Sequence, residues 1–283
     1  MPRYLIAESE LPDQREQRRA RAGKSSGETY VATLKQMRPD AQCSLIAAAD
    51  EDAPQLSPDQ LATFDAVLLT GSPMHVYEDG PAVRRQLDFM RAVFASGTPS
   101  FGSCAGLQVA TAAAGGRVRR MPGRMEAGIV RGISATEAGR GHPLLAGRPA
   151  CWDAIGLHGD EVEELPPGAT LLAGNAATTI QAAEIRHDRG VFWGVQYHPE
   201  LALAEVATAL QSQAADLVEA GLAGSEADVS TIAHALDGLH HDPDSRPLRW
   251  KLGVDREVAE ERRRRTEITN FLDHAPGLKR SRA

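Results

Sequence analysis

An uninterrupted apolar run at residues 66–70 constrains the fold of this chain more than any other feature. A strand that is apolar on both of its sides suits a parallel sheet with helices on both faces. The run ends at Gly71, and similar short apolar runs occur at residues 3–7, 43–47 and 100–101. Segments with a helical spacing of apolar residues separate these runs. This alternation predicts a doubly wound α/β fold with a mostly parallel sheet.

The remaining elements follow from the spacing of apolar residues and from turn residues. Residues 8–26 carry many charges without a period, so we expect a long loop there. Further helices are predicted within residues 31–37, 81–97, 105–114 and 203–218, and short strands at residues 117–118, 129–133, 171–173, 181–186 and 191–195.

The composition changes beyond Gly221. Two segments there, residues 228–239 and 255–272, have the periodicity of helices. We therefore predict an α/β domain at residues 1–220. Residues 221–283 form a helical C-terminal extension that packs on this domain or on a partner.

Two further patterns in the extension give specific expectations. Leu248, Trp250 and Leu252 alternate with charged residues, which predicts one face of a strand. If they were exposed together with Ile268, Phe271 and Leu272, they would form an apolar patch that a soluble monomer rarely tolerates. We therefore expect these residues to be covered. The arginine run at residues 262–265 follows two glutamates at helical spacing, which predicts a solvated helix face. The pair His240 and His241 is expected to be a polar turn between helices.

Charge and cysteine content exclude several classes of protein. The chain has 31 Lys and Arg against 38 Asp and Glu, a net charge of −7, which argues against nucleic-acid binding. No apolar run reaches the roughly 18 residues of a membrane helix, and residues 1–8 lack a signal-peptide pattern. We therefore expect a cytoplasmic protein without a membrane partner. Three cysteines without paired spacing argue against a disulfide scaffold, and we expect Cys43 and Cys151 to be packing residues.

Cys104 lies in a pattern that is typical of a nucleophile. It stands between Gly102 and Gly106, after a short strand and before a small-residue helix. This is the context of a nucleophile elbow, where a strained turn places the side chain at a helix N-terminus. The helix dipole there favours a thiolate, and the following amide, that of Ala105, can donate to an oxyanion. A buried cysteine in a glycine-rich turn is the alternative.

The second motif supplies a base for such a nucleophile. His198, Pro199 and Glu200 follow the predicted strand at residues 191–195. A cysteine nucleophile requires an imidazole, and the imidazole requires a carboxylate that fixes its tautomer. A single His-Pro-Glu segment is usually a loop turn. Its occurrence together with the cysteine elbow, both at strand ends, favours a catalytic interpretation.

Together these motifs resemble the class I glutamine amidotransferases, the type with a Cys-His-Glu triad. Among them the chain is most similar to the glutaminase domain of GMP synthases, although it is free-standing. The resemblance implies the flavodoxin-like α/β fold of that family. Four segments carry it: Gly102, Cys104, Gly106 and Gln108 around the elbow, residues 194–200, residues 71–77, and residues 157–168.

The resemblance also implies roles for individual residues. Cys104 is expected as the nucleophile, His198 as the base and Glu200 as the carboxylate that orients the base. The amides of Ser72 and Ala105 are expected to form the oxyanion hole. The residues expected to bind a glutamyl substrate are Gly71, Gln108, His158, Gly159 and Asp160. No metal site and no cofactor is implied.

Departures from the family leave the substrate open. Ser72 and Leu157 replace a glycine and a serine of the family pattern, and Ala105 replaces a larger residue, which leaves room beside the sulfur for a leaving group. His75, beside the oxyanion loop, is expected either to touch substrate or to cover the cleft. The chain also lacks the ATP-binding loop of GMP synthases.

Four functions therefore remain. The protein hydrolyses glutamine and supplies ammonia to a synthase subunit, or it is a free-standing hydrolase of γ-glutamyl amines or peptides. It could also be an inactive scaffold that binds a partner. A chaperone- or protease-like relative is disfavoured by the His-Pro-Glu segment. A homodimer stays open.

Overall fold

A computed structural model of the chain describes residues 1–123 and 125–280. Its main feature is a nine-stranded sheet with the strand order β2-β1-β3-β4-β11-β10-β9-β6-β7, and a separate ribbon pairs β5 with β8. The strands are β1 (Arg3–Glu8), β2 (Gln42–Ala47), β3 (Ala66–Leu69), β4 (Ser100–Ser103), β5 (Arg117–Arg120), β6 (Glu126–Ala135), β7 (Cys151–His158), β8 (Asp160–Glu164), β9 (Ala169–Gly174), β10 (Ala182–His187) and β11 (Gly190–Val195).

Helices cover both faces of the sheet, and a short 3-10 helix spans Pro143–Leu145. No helix among the described residues is long and apolar enough to cross a membrane. The α-helices are α1 (Pro12–Ala22), α2 (Ser26–Met37), α3 (Pro58–Leu61), α4 (Pro81–Ser96), α5 (Ala105–Ala113), α6 (Glu137–Arg140), α7 (Leu203–Ser212), α8 (Ala214–Glu219), α9 (Glu226–His241), α10 (Arg246–Leu252), α11 (Arg256–Ala259), α12 (Glu261–Arg264) and α13 (Thr266–Arg280).

Strand direction determines where chemistry can be assembled. Strands β2, β1, β3, β4 and β11 run parallel, and β11 continues into antiparallel pairings through β10, β9, β6 and β7. The neighbours β3, β4 and β11 therefore end at the same edge of the sheet. Gly71, Cys104 and His198 all follow these carboxyl ends, which is where ligands bind in open α/β sheets.

The predicted loop at residues 8–26 is wrong, because α1 occupies most of it. This helix has no buried residue, so it lacks the apolar stripe from which helices are recognised in a sequence. It is held by polar contacts instead. Arg15 pairs with Asp50, and Arg19 bonds to the carboxylate of Glu28 at 2.9 Å.

Several predicted boundaries also differ from the structure. The single helix expected at residues 203–218 is broken at Gln213 into α7 and α8. The helix expected at residues 255–272 is three helices, α11, α12 and the beginning of α13. Strands β7 and β8 were missed, because glycines and charged residues interrupt their apolar pattern.

The C-terminal helices pack against the sheet in two places. Ile268, Phe271, Leu272 and Ala275 of α13 join the core formed by strand residues such as Trp193. Leu236 and Leu239 of α9 and Val258 of α11 pack with the buried residues of α7. The division into domains at residue 220 stays a prediction.

The strand expected around Trp250 is wrong. Residues 246–252 form α10, in which Leu252 is buried whereas the Trp250 side chain is 87% exposed. Alternation over five residues is too short to distinguish a strand from one turn and a half of helix. Trp250 is therefore not covered by the described residues of this chain.

The solvated face expected for the arginine run is also partly wrong. Arg265 does pair with Glu261, but Arg264 is buried and donates to the carbonyls of Val258 at 2.6 Å and Ala259 at 2.9 Å. Burial lowers the pKa of Arg264 to about 10. Of the two cysteines expected to be packing residues, Cys43 is half-buried, but Cys151 is exposed, which corrects that expectation.

A buried ion-pair cluster fixes the C-terminal helices behind β11. Arg148 donates to Glu257 of α11 and to Glu267 of α13, each at 2.7 Å. Glu267 also accepts the hydroxyl of Tyr197 at 2.8 Å. Removing one member of such a cluster leaves a buried charge without a partner, which is strongly destabilising. The C-terminal helices are thus bonded to the residue that precedes His198.

We expect Phe271→Ala to lower the free energy of unfolding by about 3–5 kcal/mol, because it opens a cavity in the core. Trp250→Ala is the matched control. It removes an aromatic side chain from the same C-terminal region, but an exposed one, and we expect a change within about 0.5 kcal/mol. Urea unfolding monitored by circular dichroism measures both. Equal effects of the two substitutions would contradict the packing of α13 described above.

Candidate active site

Cys104 occupies a strained elbow between β4 and α5. Its backbone has φ 52° and ψ −112°, a conformation that non-glycine residues rarely adopt. The Cys104 amide donates to the carbonyl of Val195 at 2.9 Å, which fixes the elbow to β11. The flanking glycines are needed for close approach. A Cβ on Gly106 would lie 2.7 Å from the carbonyl oxygen of Leu69, and one on Gly102 would lie 3.0 Å from the backbone of Gly106.

His198 and Glu200 form a buried hydrogen-bonded pair next to this elbow. His198 donates from Nδ1 to Oε1 of Glu200 at 2.7 Å. The amide of His198 donates to the carbonyl of Ile155 at 2.8 Å, so β7 fixes the segment that carries the ring. Both side chains are nearly inaccessible to solvent. The carboxylate sets the tautomer and leaves Nε2 free to face the nucleophile.

The electrostatics of the pair favour a charged imidazole. Burial lowers the pKa of His198, but the charges of Glu200 and Cys104 and the hydrogen bonds to both groups outweigh it and raise this pKa to about 10. His198 therefore keeps its proton through neutral pH and loses it as the pH rises towards that value. An imidazolium beside the sulfur stabilises a thiolate.

The third side of the site is the turn after β3. A Cβ on Gly71 would lie 2.6 Å from Cε1 of His198 and 3.6 Å from the Cβ of Cys104, so only glycine fits against the imidazole. The amides of Ser72 and Ala105 donate none of the hydrogen bonds found among the described residues, and they remain available to an oxyanion. Ala105 itself is fully buried. The room that its small side chain is expected to leave beside the sulfur stays a prediction.

The residues expected to bind substrate surround Asp160, at the start of β8. Gln108 donates from Nε2 to the backbone oxygen of Asp160 at 3.2 Å, which joins the first turn of α5 to β8. His158 is buried with both ring nitrogens engaged, by Glu126 and by the Asp160 carbonyl, each at 3.0 Å. Gly159 links the two strands. His158 thus supports this corner from within, and the Asp160 side chain is buried beside it.

The loop at residues 72–77 reaches across the site to that carboxylate. His75 bonds through Nδ1 to Asp160 Oδ2 at 2.6 Å, and the hydroxyl of Tyr77 donates to Oδ1 at 3.3 Å. Cys104 and His198 are buried in this arrangement. His75 thus bonds this loop to β8, and both roles considered for it, substrate contact and cover of the cleft, stay predictions.

Sequence reasoning missed two groups of residues. Ser103 donates to the Glu200 carboxylate and Tyr30 bonds to Ser103, but a tyrosine on a helix distant in sequence from both motifs gives no sequence signal. Arg120 lies directly opposite Asp160 in the β5–β8 ribbon. Within residues 1–123 and 125–280, His, Cys, Asp and Glu form no group of three that could hold a metal ion.

Comparisons with known sequences agree with this geometry. Residues 25–215 match the family model described as glutamine amidotransferase class-I. The chain is 35% identical over 282 residues to a gamma-glutamyl-L-1-hydroxyisopropylamide hydrolase of a Pseudomonas species, which covers 96% of this chain and 92% of that protein. It is 35% identical over 137 residues to the glutamine-hydrolyzing GMP synthase of Thermomicrobium roseum, which covers 48% of this chain and 23% of that protein. The chain thus spans about a quarter of the GMP synthases that it matches.

Solved structures show the same fold. A glutamine amidotransferase of Thermotoga maritima superposes with a TM-score of 0.65 at 14% identity, covering 97% of this chain and 98% of that one. One from Methylobacillus flagellatus gives 0.64 at 18% identity, covering 96% and 94%. These structures, at 14% and 18% identity, confirm the predicted fold class alone. The family model and the Pseudomonas relative confirm the family resemblance predicted from the motifs.

We expect the His198 imidazole to carry a charge at about pH 8, above the ordinary histidine pKa. Glu200→Gln removes the negative partner, so the pKa of His198 should fall and the ring should be neutral at that pH. Glu163→Gln, which removes an exposed carboxylate in β8, is the control and should leave the ring charged. Nitrogen-15 NMR of labelled histidine, assigned with His198→Gln, measures this. A neutral wild-type ring, or equal states in both variants, would contradict the electrostatics described above.

Proposed function

Since the chain belongs to the class I glutamine amidotransferase family, we propose that it is a cysteine-dependent hydrolase of γ-glutamyl amides. The products are glutamate and an amine. The observation that carries the proposal is the buried His198–Glu200 pair at 2.7 Å beside the strained Cys104 elbow. A strained backbone and a buried charge both cost stability and occur mainly at functional sites, which argues against an inactive scaffold.

The similarity over nearly the whole chain favours an amine larger than ammonia as the leaving group. The Pseudomonas hydrolase matches 96% of this chain, which includes the C-terminal helices, whereas the GMP synthase of Thermomicrobium roseum matches 48%. A hydrolase of γ-glutamyl amines is therefore our first candidate. The second candidate, a glutaminase that supplies ammonia to a synthase subunit, is supported by the GMP synthase similarity. A cytoplasmic location and a homodimer stay predictions.

The geometry supports a thioester mechanism. The Cys104 thiolate attacks the amide carbon, and the electron pair moves to the oxygen, where the amides of Ser72 and Ala105 can donate to it. When the tetrahedral intermediate collapses, the C–N bond breaks and His198 gives its proton to the amine. Water then attacks the carbonyl carbon of the γ-glutamyl thioester, and the neutral His198 imidazole takes a proton from this water as it attacks. Glutamate leaves and the Cys104 thiolate is restored beside a protonated His198.

Asp160 and Arg120 are suited to hold the amino-acid end of such a substrate. They face each other in the β5–β8 ladder, so their side chains lie on the same side of the ribbon. Val118 and Val162 on that side are buried, and Gln108 at the start of α5 bonds to the Asp160 backbone there. Arg117 and Arg119 pair with β8 glutamates, but Arg120 has no ion pair among the described residues. We assign the α-ammonium group to Asp160 and the α-carboxylate to Arg120.

A substrate panel tests the proposed function. Glutamate release from L-glutamine, γ-glutamyl isopropylamide and γ-glutamyl anilide is measured for the wild type and for Cys104→Ser. We expect the wild type to hydrolyse the two amine conjugates at least as well as glutamine. Cys104→Ser should lose turnover by several orders of magnitude, because the hydroxyl is not ionised near neutral pH.

Two results of this panel would count against the proposal. Hydrolysis of glutamine alone would favour the ammonia-supplying candidate over the amine hydrolase. A Cys104→Ser variant with more than about a tenth of wild-type turnover would contradict the role of the nucleophile.

We expect Arg120→Gln to lower kcat/KM for glutamine about tenfold, because a charged hydrogen bond to the α-carboxylate is lost. The same substitution should leave kcat/KM for 4-aminobutanamide unchanged, since this analogue has no carboxylate. Arg117→Gln, in the same strand, is the control. An equal loss on both substrates would show that Arg120 does not bind the carboxylate.

A further inference from the structure

We propose that Ser103 and Tyr30 are positioning residues that extend the triad, through a hydrogen-bonded chain from the Tyr30 hydroxyl to Ser103 Oγ and on to the Glu200 carboxylate. This inference rests on the proposed function, because it assigns a role to residues that act through Glu200 and His198. It concerns a segment, α2, that neither the motifs nor the resemblance connects with the site.

The chain is short and buried throughout. The Tyr30 oxygen lies 2.6 Å from Ser103 Oγ, Ser103 Oγ lies 3.0 Å from Glu200 Oε1, and Glu200 Oε1 lies 2.7 Å from Nδ1 of His198. Tyr30 and Ser103 are inaccessible to solvent, so water does not compete for these bonds. The serine immediately precedes the nucleophile, and its strand pairs with β11 at Val195.

The direction of the protons follows from what each group can donate. The Glu200 carboxylate is an acceptor, so Ser103 must give it the one proton of its hydroxyl. Ser103 can then only accept from Tyr30, which makes the phenol the donor at the outer end. Burial and the nearby charge of Glu200 raise the pKa of Tyr30 well above its ordinary value, so the phenol keeps its proton.

Ser103 is the neutral group that donates a hydrogen bond to the Glu200 carboxylate. Oε1 receives both His198 and Ser103, whereas Oε2 is buried and has no hydrogen-bond partner among the described residues. Thr33 of α2 bonds to the backbone oxygen of Glu200 and not to its carboxylate. The titratable groups that face Glu200 are His198 from its own segment, Tyr30 from α2 and, beyond the imidazole, Cys104.

The consequence for catalysis is electrostatic. A donor to a buried carboxylate stabilises its ionised form, and the ionised form stabilises the imidazolium that protonates the leaving amine. The same bond fixes the carboxylate in the plane where it meets Nδ1. Tyr30 prevents the Ser103 hydroxyl from rotating away, because its own proton occupies the lone pair of that oxygen.

Substitutions at both positions test this chain. We expect Ser103→Ala to lower kcat about tenfold with little change in KM, since the lost bond supports a charge and does not touch substrate. The loss of that donor removes positive potential from the buried triad, so the acidic limb of kcat/KM should move to higher pH. Tyr30→Phe should lower kcat and move the acidic limb to higher pH as well, but each by a smaller amount.

The two substitutions should not be additive, because Tyr30 acts through Ser103. The double variant is expected to match Ser103→Ala alone within about twofold. Ser100→Ala, a buried serine in the same strand, and Tyr4→Phe, a buried tyrosine on β1, are matched controls and should leave the acidic limb in place. Additive losses, or losses without any movement of the acidic limb, would overturn the proposal in favour of a purely structural role.

A measurement without substrate separates this inference from the proposed function. The rate of Cys104 alkylation by iodoacetamide is followed against pH by peptide mass spectrometry, with the exposed Cys151 as the internal reference. The midpoint for Cys104 should move to higher pH in Ser103→Ala and stay unchanged in Ser100→Ala. If the wild type hydrolyses no γ-glutamyl compound, the proposed function fails, and this shift still decides the inference. An unchanged midpoint in Ser103→Ala overturns it.

Discussion

The charged hydrogen bond between His198 and Glu200 sets requirements that much of the surrounding structure meets. An ion pair out of contact with water is stable only if its geometry is fixed and further hydrogen bonds support its charges. Gly71 packs against the ring on one side, and β7 holds the His198 amide on the other. Ser103 supplies a neutral donor to the carboxylate. These contacts come from three separate parts of the chain, so the site depends on the folded sheet that brings them together.

The C-terminal helices also stabilise the segment that carries His198. Tyr197, next to His198, bonds to Glu267 of α13, and Arg148 joins Glu267 to Glu257 of α11. The helices therefore fix the segment that carries the base, while the loop at residues 72–77 bonds to Asp160 through His75 and Tyr77. This arrangement gives a physical reason for the C-terminal region to accompany the catalytic fold, and it agrees with a relative that matches this region as well.

Much of the fold was predictable, because buried strands and amphipathic helices have characteristic periods. The apolar run at residues 66–70 and the two motifs at Cys104 and His198 were sufficient for the fold class and the family. Helix α1 was not predictable, since it has no apolar stripe and depends on ion pairs with distant residues. The strand predicted around Trp250 was wrong for the opposite reason, because this large apolar side chain on α10 is exposed and its position follows no buried face. The hydrogen bond between Tyr30 and Ser103 was not predictable, because the two residues are distant in the sequence and only the fold brings them together.

The central claim is that Cys104 forms a covalent γ-glutamyl thioester, and peptide mass spectrometry after an acid quench tests it most directly. Wild-type protein is mixed with γ-glutamyl isopropylamide, quenched in acid within the first turnover and digested. The account predicts a glutamyl adduct on the peptide that contains Cys104, and none on the peptides of Cys43 or Cys151. Turnover of the amide without an adduct at Cys104, or with an adduct at another cysteine, would contradict it.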